Sequence, residues 1–92
     1  DLEKYKKLIE ESKARIVTPG QRYRNFKNKD YVVTAIANHT ERTEKLVVYK
    51  GLYEPYETHA RPYDMFVSPV DRYKYPNVKQ TFRMELIENG DE

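Results

Sequence analysis

Arg61 stands directly before Pro62, and this pair carries the strongest chemical signal in the chain. A guanidinium forks onto a phosphate or a carboxylate, and the proline stiffens the backbone that presents it. The structural alternative is an ion pair with Glu41, Glu44 or Glu57, since buried arginines usually have a carboxylate partner. His39 closes a β-rich run and is followed by Thr40 and Thr43. It can donate to a phosphate or stack on a base, with the Thr43 hydroxyl beside it; alternatively it pins its loop through a backbone carbonyl. Arg22 and Arg24 flank Tyr23, so strand alternation puts both arginines on one face, where they suit an anion or simply face solvent. Tyr49 and Tyr53 can stack on a planar ring or fill a barrel seam.

These side chains bind anions and rings; no catalytic pattern accompanies them. His39 and His59 with Glu57 and Asp64 match no metal-ligand spacing. Ser12 and Ser68 lack a nucleophile elbow, no glycine-rich phosphate loop is present, and no carboxylate pair stands out. The expectation is a binding module that is not an enzyme and has no cofactor.

Composition narrows the setting. Ninety-two residues make one thin-cored domain, for which self-association is an easy way to bury more surface. There are no cysteines, which rules out disulfides and thiolate zinc sites and suits a reducing cytoplasm. No apolar run reaches the ~20 residues of a membrane span, and no signal-peptide pattern opens the chain. Net charge is only +2 but uneven: residues 20–50 hold seven bases against three acids, and residues 51–92 five against eight. A local positive region on a nearly neutral chain points to a discrete anion site more than to a broad nucleic-acid surface.

The elements that must position these groups follow from the spacing. Leu2, Tyr5, Leu8, Ile9, Ser12 and Ile16 recur at helical steps, predicting an amphipathic helix over 2–16 with Asp1 as its cap and Thr18-Pro19-Gly20 as its stop. Such a stripe packs across its own barrel or pairs with a neighbouring subunit. Beyond the break the pattern turns to β: Arg22–Phe26, a turn at Asn28-Lys29-Asp30, Tyr31–Ala37, a polar connection Asn38–Glu44, Leu46–Lys50, and a short strand Thr58–Ala60. Met65–Val67 reads as a further short strand and Gln80–Ile87 as a half-buried one, with a frayed tail Glu88–Glu92. Five or six short strands in ~70 residues indicate a small barrel or roll.

The run Gly20-Gln21-Arg22-Tyr23-Arg24-Asn25-Phe26-Lys27, with Tyr31, Ala37–Glu44, Val47-Val48-Tyr49, Leu52-Tyr53, Arg61-Pro62 and Met65-Phe66, resembles the DUF1653 family over residues 19–87. Those are small bacterial and phage proteins of undefined function. The resemblance implies a mainly β fold: an SH3-like β-barrel or roll over 18–92, preceded by the added helix of residues 1–17. This chain departs from the family's usual histidine at Asn25, its glycine at Asn28, and the aromatic that commonly precedes Arg-Pro, where Thr58-His59-Ala60 stands. The functional expectation is a module binding a small anionic ligand, nucleotide-like, through Arg22, Arg24, His39, Thr43, Tyr49, Tyr53 and Arg61. In a phage such a module would sequester an immune signal. Nucleic-acid binding and assembly through residues 2–16 are the alternatives, and no membrane partner is expected.

Overall fold

A computed structural model describes residues 2–90. The fold is mainly β, with one five-stranded antiparallel sheet and an N-terminal helix. The elements are α1 (Leu2–Lys13), β1 (Arg22–Asn25), β2 (Asp30–Asn38), β3 (Lys45–Gly51), β4 (Thr58–Pro62), the single turn α2 (Tyr63–Phe66) and β5 (Met84–Glu88). The strand order is β4-β3-β2-β1-β5, so β4 and β5 are edges and the sheet is open, where a closed barrel was one form expected. Asp1, Asp91 and Glu92, and with them the proposed cap and the tip of the tail, lie outside the described residues.

Alternation decides which residues face inward. Tyr23 on β1, Tyr31 and Val33 on β2, and Val47 and Tyr49 on β3 are buried, while Arg22 and Arg24 flank Tyr23 on the outside. Val33 pairs with Tyr49 and Ala35 with Val48, so Thr34 is an extra residue, a β-bulge that flips the parity of the strand. Ile36, not Ala35, therefore packs on the core. Gly51 pairs with Tyr31, and a Cβ there would lie 3.2 Å from the Tyr53 ring. The missing side chain lets Tyr53 fold back over Tyr31.

Two segments in the β region differ from the sequence pattern. Met65–Val67 is not a strand: the chain turns through α2 after Pro62, which carries Phe66 and Val67 into the core, at 0% and 2% exposure. β-propensity yields here to burial of Phe66 and Val67, while Met65 stays exposed. Gln80–Arg83 does not extend β5. It pairs instead with the segment before it, through Val70 N–H to Thr81 O, Arg83 N–H to Ser68 O and a Pro69–Phe82 bridge.

The helix is shorter than its apolar stripe and is not laid across the sheet. Leu2 is 69% exposed and Tyr5 also faces solvent, whereas Leu8 and Ile9 are half-buried and Ser12 is buried. The chain leaves the helix after Lys13, and in the extended stretch that follows Ile16 points out while Val17 joins the core. Arg15 anchors this exit. Its Nη1 donates to Val67 O at 3.0 Å and its Nη2 to Met84 O at 2.6 Å, and the guanidinium lies 4.7 Å from the Phe82 ring centre. Burial lowers the pKa of Arg15, but the group starts far above neutrality and stays charged. Arg15→Met is expected to destabilise the domain by about 2–3 kcal/mol, because two charge-assisted bonds to carbonyls are lost. Urea unfolding checks it, and an unchanged midpoint would mean the anchor is idle.

Candidate functional site

The β1–β2 hairpin places the first wall of the site. Asn28 takes a left-handed conformation (φ 69°), which asparagine tolerates better than most residues and glycine best of all. Asn25 holds the loop shut: its Oδ1 accepts from the backbone N–H of Lys27 and of Lys29, both at 3.0 Å. Its Nδ2 is thereby the end left over, 3.5 Å from the Tyr31 hydroxyl.

Tyr31, Tyr49 and Arg61 come from three neighbouring strands on the inner face. Tyr49 pairs with His59 across β3 and β4, and Val47 with Arg61, so His59 and Arg61 share the side of the aromatic core. The Tyr31 and Tyr49 rings meet edge to face at 5.2 Å, and Tyr49 meets Phe66 at 5.2 Å. Tyr31 and Tyr53 join hydroxyls at 2.8 Å. Burial first, and that hydrogen bond second, push the Tyr31 phenol well above its ordinary pKa, so it keeps its proton. Arg61 Nε donates to Tyr49 Oη at 3.2 Å, which leaves the two outer nitrogens of its fork unengaged by any bond among the described residues.

These groups close a cavity of about 60 Å³ lined by Asn25, Phe26, Tyr31, Tyr49, Arg61, Phe66, Arg83 and Met84. Arg83, absent from the expected set, adds a second guanidinium, 5.8 Å from the Phe26 ring centre. No carboxylate lines the cavity, and neither Arg61 nor Arg83 has an acidic partner among the described residues. The anticipated ion pair of Arg61 with Glu41, Glu44 or Glu57 is not among the ion pairs formed. Two cations drawn partly out of water beside an aromatic wall favour an anion from solution.

The remaining expected residues sit elsewhere. Arg22 and Arg24 are on the outer face, held by acids: Arg22 Nε is 3.6 Å from Glu88, and Arg24 forks onto Asp30 at 2.7 and 3.1 Å. Cross-strand register explains this, because Arg24 faces Asp30 on one side and Glu85 on the other. The hydrogen bond from Arg24 holds the Asp30 carboxyl below its usual range. A carboxyl lowered on folding adds stability above the ordinary aspartate pKa and loses it as pH falls through the lowered value. Asp30→Asn should therefore flatten part of the acid limb of a melting-temperature profile between about pH 5 and 2, by a small amount because the pair is exposed. Superimposable acid limbs would exclude this contribution.

His39 pins its loop, as an acceptor: Nδ1 takes the Glu41 N–H at 2.9 Å, which leaves the proton of the neutral ring on Nε2. With Thr43 it lines an open groove of about 540 Å³, together with Arg42, Lys45, Glu44 and Asp64. That groove is larger than the Arg61 cavity but weaker as an anion site. Its cations are exposed and hydrated, and two acids offset them. Tyr53 bridges the Tyr31 side to a third, shallow recess with Lys29 and Arg24. The expected residues thus do not converge on one mouth; Tyr49 and Arg61 stay together, and Asn25, Tyr31 and Arg83 join them. Among the described residues no group of three or more histidines and acids is placed to hold a metal, and no helix is long and apolar enough to cross a membrane.

Fold and cavity together define a small mainly-β domain with a cation-bearing cavity on its inner sheet face. Residues 21–84 match the model of the family described as a protein of unknown function, DUF1653, and the chain belongs to that family. No curated protein and no solved structure matches it at a significant level.

Proposed function

We propose that this chain is a non-enzymatic SH3-like module that binds a small anionic ligand, a nucleotide or nucleotide-derived signal, by its charged end. The observation that carries the reading is the pair Arg61 and Arg83 on one cavity, with no acid in its wall among the described residues. At about 60 Å³ the cavity is far below the roughly 300–1,000 Å³ that encloses a whole ligand, so it receives a head group such as phosphate or carboxylate. The rest of the ligand lies outside, where the half-exposed rings of Tyr53 and His59 offer faces for stacking. Titration calorimetry with nucleotides, sugar phosphates and sulfate, run beside Arg61→Ala, tests this. Absence of heat and of any thermal shift across the panel removes it.

A second reading, assembly through residues 2–16, is supported by the exposure of Leu2 and Tyr5 on the helix stripe. Removing residues 1–13, which leaves Arg15 and the core residue Val17 in place, should then reduce the solution mass to that of a monomer. A monomer before and after deletion disposes of self-assembly through α1. A nucleic-acid surface draws less support, because the outer-face arginines are already paired with acids.

A further inference from the structure

Which anion the cavity takes follows from the hydrogen bonds its wall already makes, an inference that rests on the anion reading above. Asn25 Oδ1 is committed to two backbone N–H groups, so the amide turns only its NH2 to the cavity, with one of those hydrogens directed at Tyr31 Oη at 3.5 Å. Tyr49 Oη already accepts from Arg61 Nε, so its hydrogen is the part available. Tyr31 and Tyr53 share one O–H···O bond, which leaves one phenol hydrogen of the pair to give. Arg61 and Arg83 only donate. Among the described residues the wall contains no carboxylate. Every side-chain polar group on it is a donor, or an acceptor that already holds at least one hydrogen bond.

We infer that the cavity selects an oxyanion whose inward oxygens carry no proton: a sulfate or sulfonate, a carboxylate, or the dianionic end of a phosphomonoester. An acid proton turned into such a wall meets donors and stays unpaired, which costs the complex the desolvation of that group. The monoanionic form of a phosphomonoester has one such proton, and its second pKa is near 6. Sulfate has none over the working range.

The test uses the whole chain with sulfate and methyl phosphate as probes, titrated at pH 7.5 and pH 5 in buffer of fixed ionic strength. The groups facing the cavity are Arg61, Arg83, Tyr31 and Tyr49; His59 with its neighbour Glu57 flanks Tyr49, and Lys29 lies over Tyr53. Charge that the protein itself gains on acidification acts on both probes, so the ratio of affinities isolates the ligand's own proton. One pH unit below the ester's second pKa only about a tenth of it is dianionic. The affinity of methyl phosphate relative to sulfate should therefore fall about tenfold from pH 7.5 to pH 5. A flat ratio overturns the inference. Arg83→Gln should weaken both probes at least tenfold if they bind in this cavity, by loss of a charged donor; unchanged binding in that variant also overturns it.

Asn25→Asp keeps an oxygen for the two hairpin N–H groups and puts an acceptor where the NH2 stood. In that variant, with its fold checked by circular dichroism, the drop in the ratio at pH 5 should shrink. An undiminished drop counts against the donor-only wall. Failure of both probes at both pH values sinks the anion reading itself, whereas saturable binding with a flat ratio sinks only the selectivity.

Discussion

Arg61→Ala is expected to weaken binding of a phosphate-bearing ligand by roughly tenfold to a hundredfold, the effect of removing a charged hydrogen-bonding partner worth about 1.5–3 kcal/mol. Its effect on stability should run the other way. In the empty protein the guanidinium is half-buried, bonded to Tyr49 Oη and without an acidic partner among the described residues. Deleting an uncompensated cation costs the fold little and relieves its desolvation. The melting temperature in anion-free buffer should be equal to or above that of the native chain, while the rise on adding sulfate disappears. A purely structural arginine would give the reverse: a lower melting temperature and an unchanged response to sulfate. Arg61→Lys should be intermediate, since an ammonium keeps the charge but cannot hold Tyr49 and fork onto an anion at once.

Phe66→Ala is expected to be the most damaging substitution in the core. Phe66 is 0% exposed and meets both Tyr23 and Tyr49 at 5.2 Å between ring centres. Truncating a buried phenylalanine costs about 3–5 kcal/mol through lost transfer energy and the cavity left behind. Against the 5–15 kcal/mol that holds a domain together, that leaves a marginal or unfolded chain. The melting temperature should drop by about 12 °C or more, at 4–8 °C per kcal/mol for a domain of this size. A shift of only a few degrees would mean the rings close over the gap. Phe66 also walls the Arg61 cavity, so its loss should abolish any binding there together with the fold, unlike Arg61→Ala.

The frame of this domain was legible in the sequence because period-2 patterning is strong where one sheet face is buried. Tyr31–Ala37, Leu46–Lys50 and the Arg22-Tyr23-Arg24 alternation fall inside observed strands, and the Pro19-Gly20 break separates helix from sheet. What failed were features set by long-range packing. Met65–Val67 has strand-like residues, but Phe66 gains more by turning into the core through α2. Ile16 continues the helical spacing, yet Arg15 ends the helix early by reaching two carbonyls from distant segments. The sheet remains open, and no local pattern encodes whether its edges meet.

The candidate cavity was only partly legible. Arg61 and Tyr49 were found from residue type and the proline that follows Arg61, and they share one cavity. Arg22 and Arg24 were read as free cations because nothing local reveals that Asp30 and Glu88 stand opposite them. Arg83 was hidden in an apparently solvated strand face, and only the pairing of residues 81–83 with 68–70 brings it to the cavity. Asn25 was read as part of the strand Arg22–Phe26; that it closes the hairpin loop, and turns its NH2 to the cavity, emerges only from counting what its oxygen already holds.

The most direct test is an NMR titration with methyl phosphate that follows the arginine Nε–Hε resonances. Saturable shifts confined to Arg61 and Arg83, with one shared dissociation constant and little movement at Arg22, Arg24 and Arg42, are the predicted result. Shifts centred on Arg42, or no saturable shift at any arginine, would contradict it.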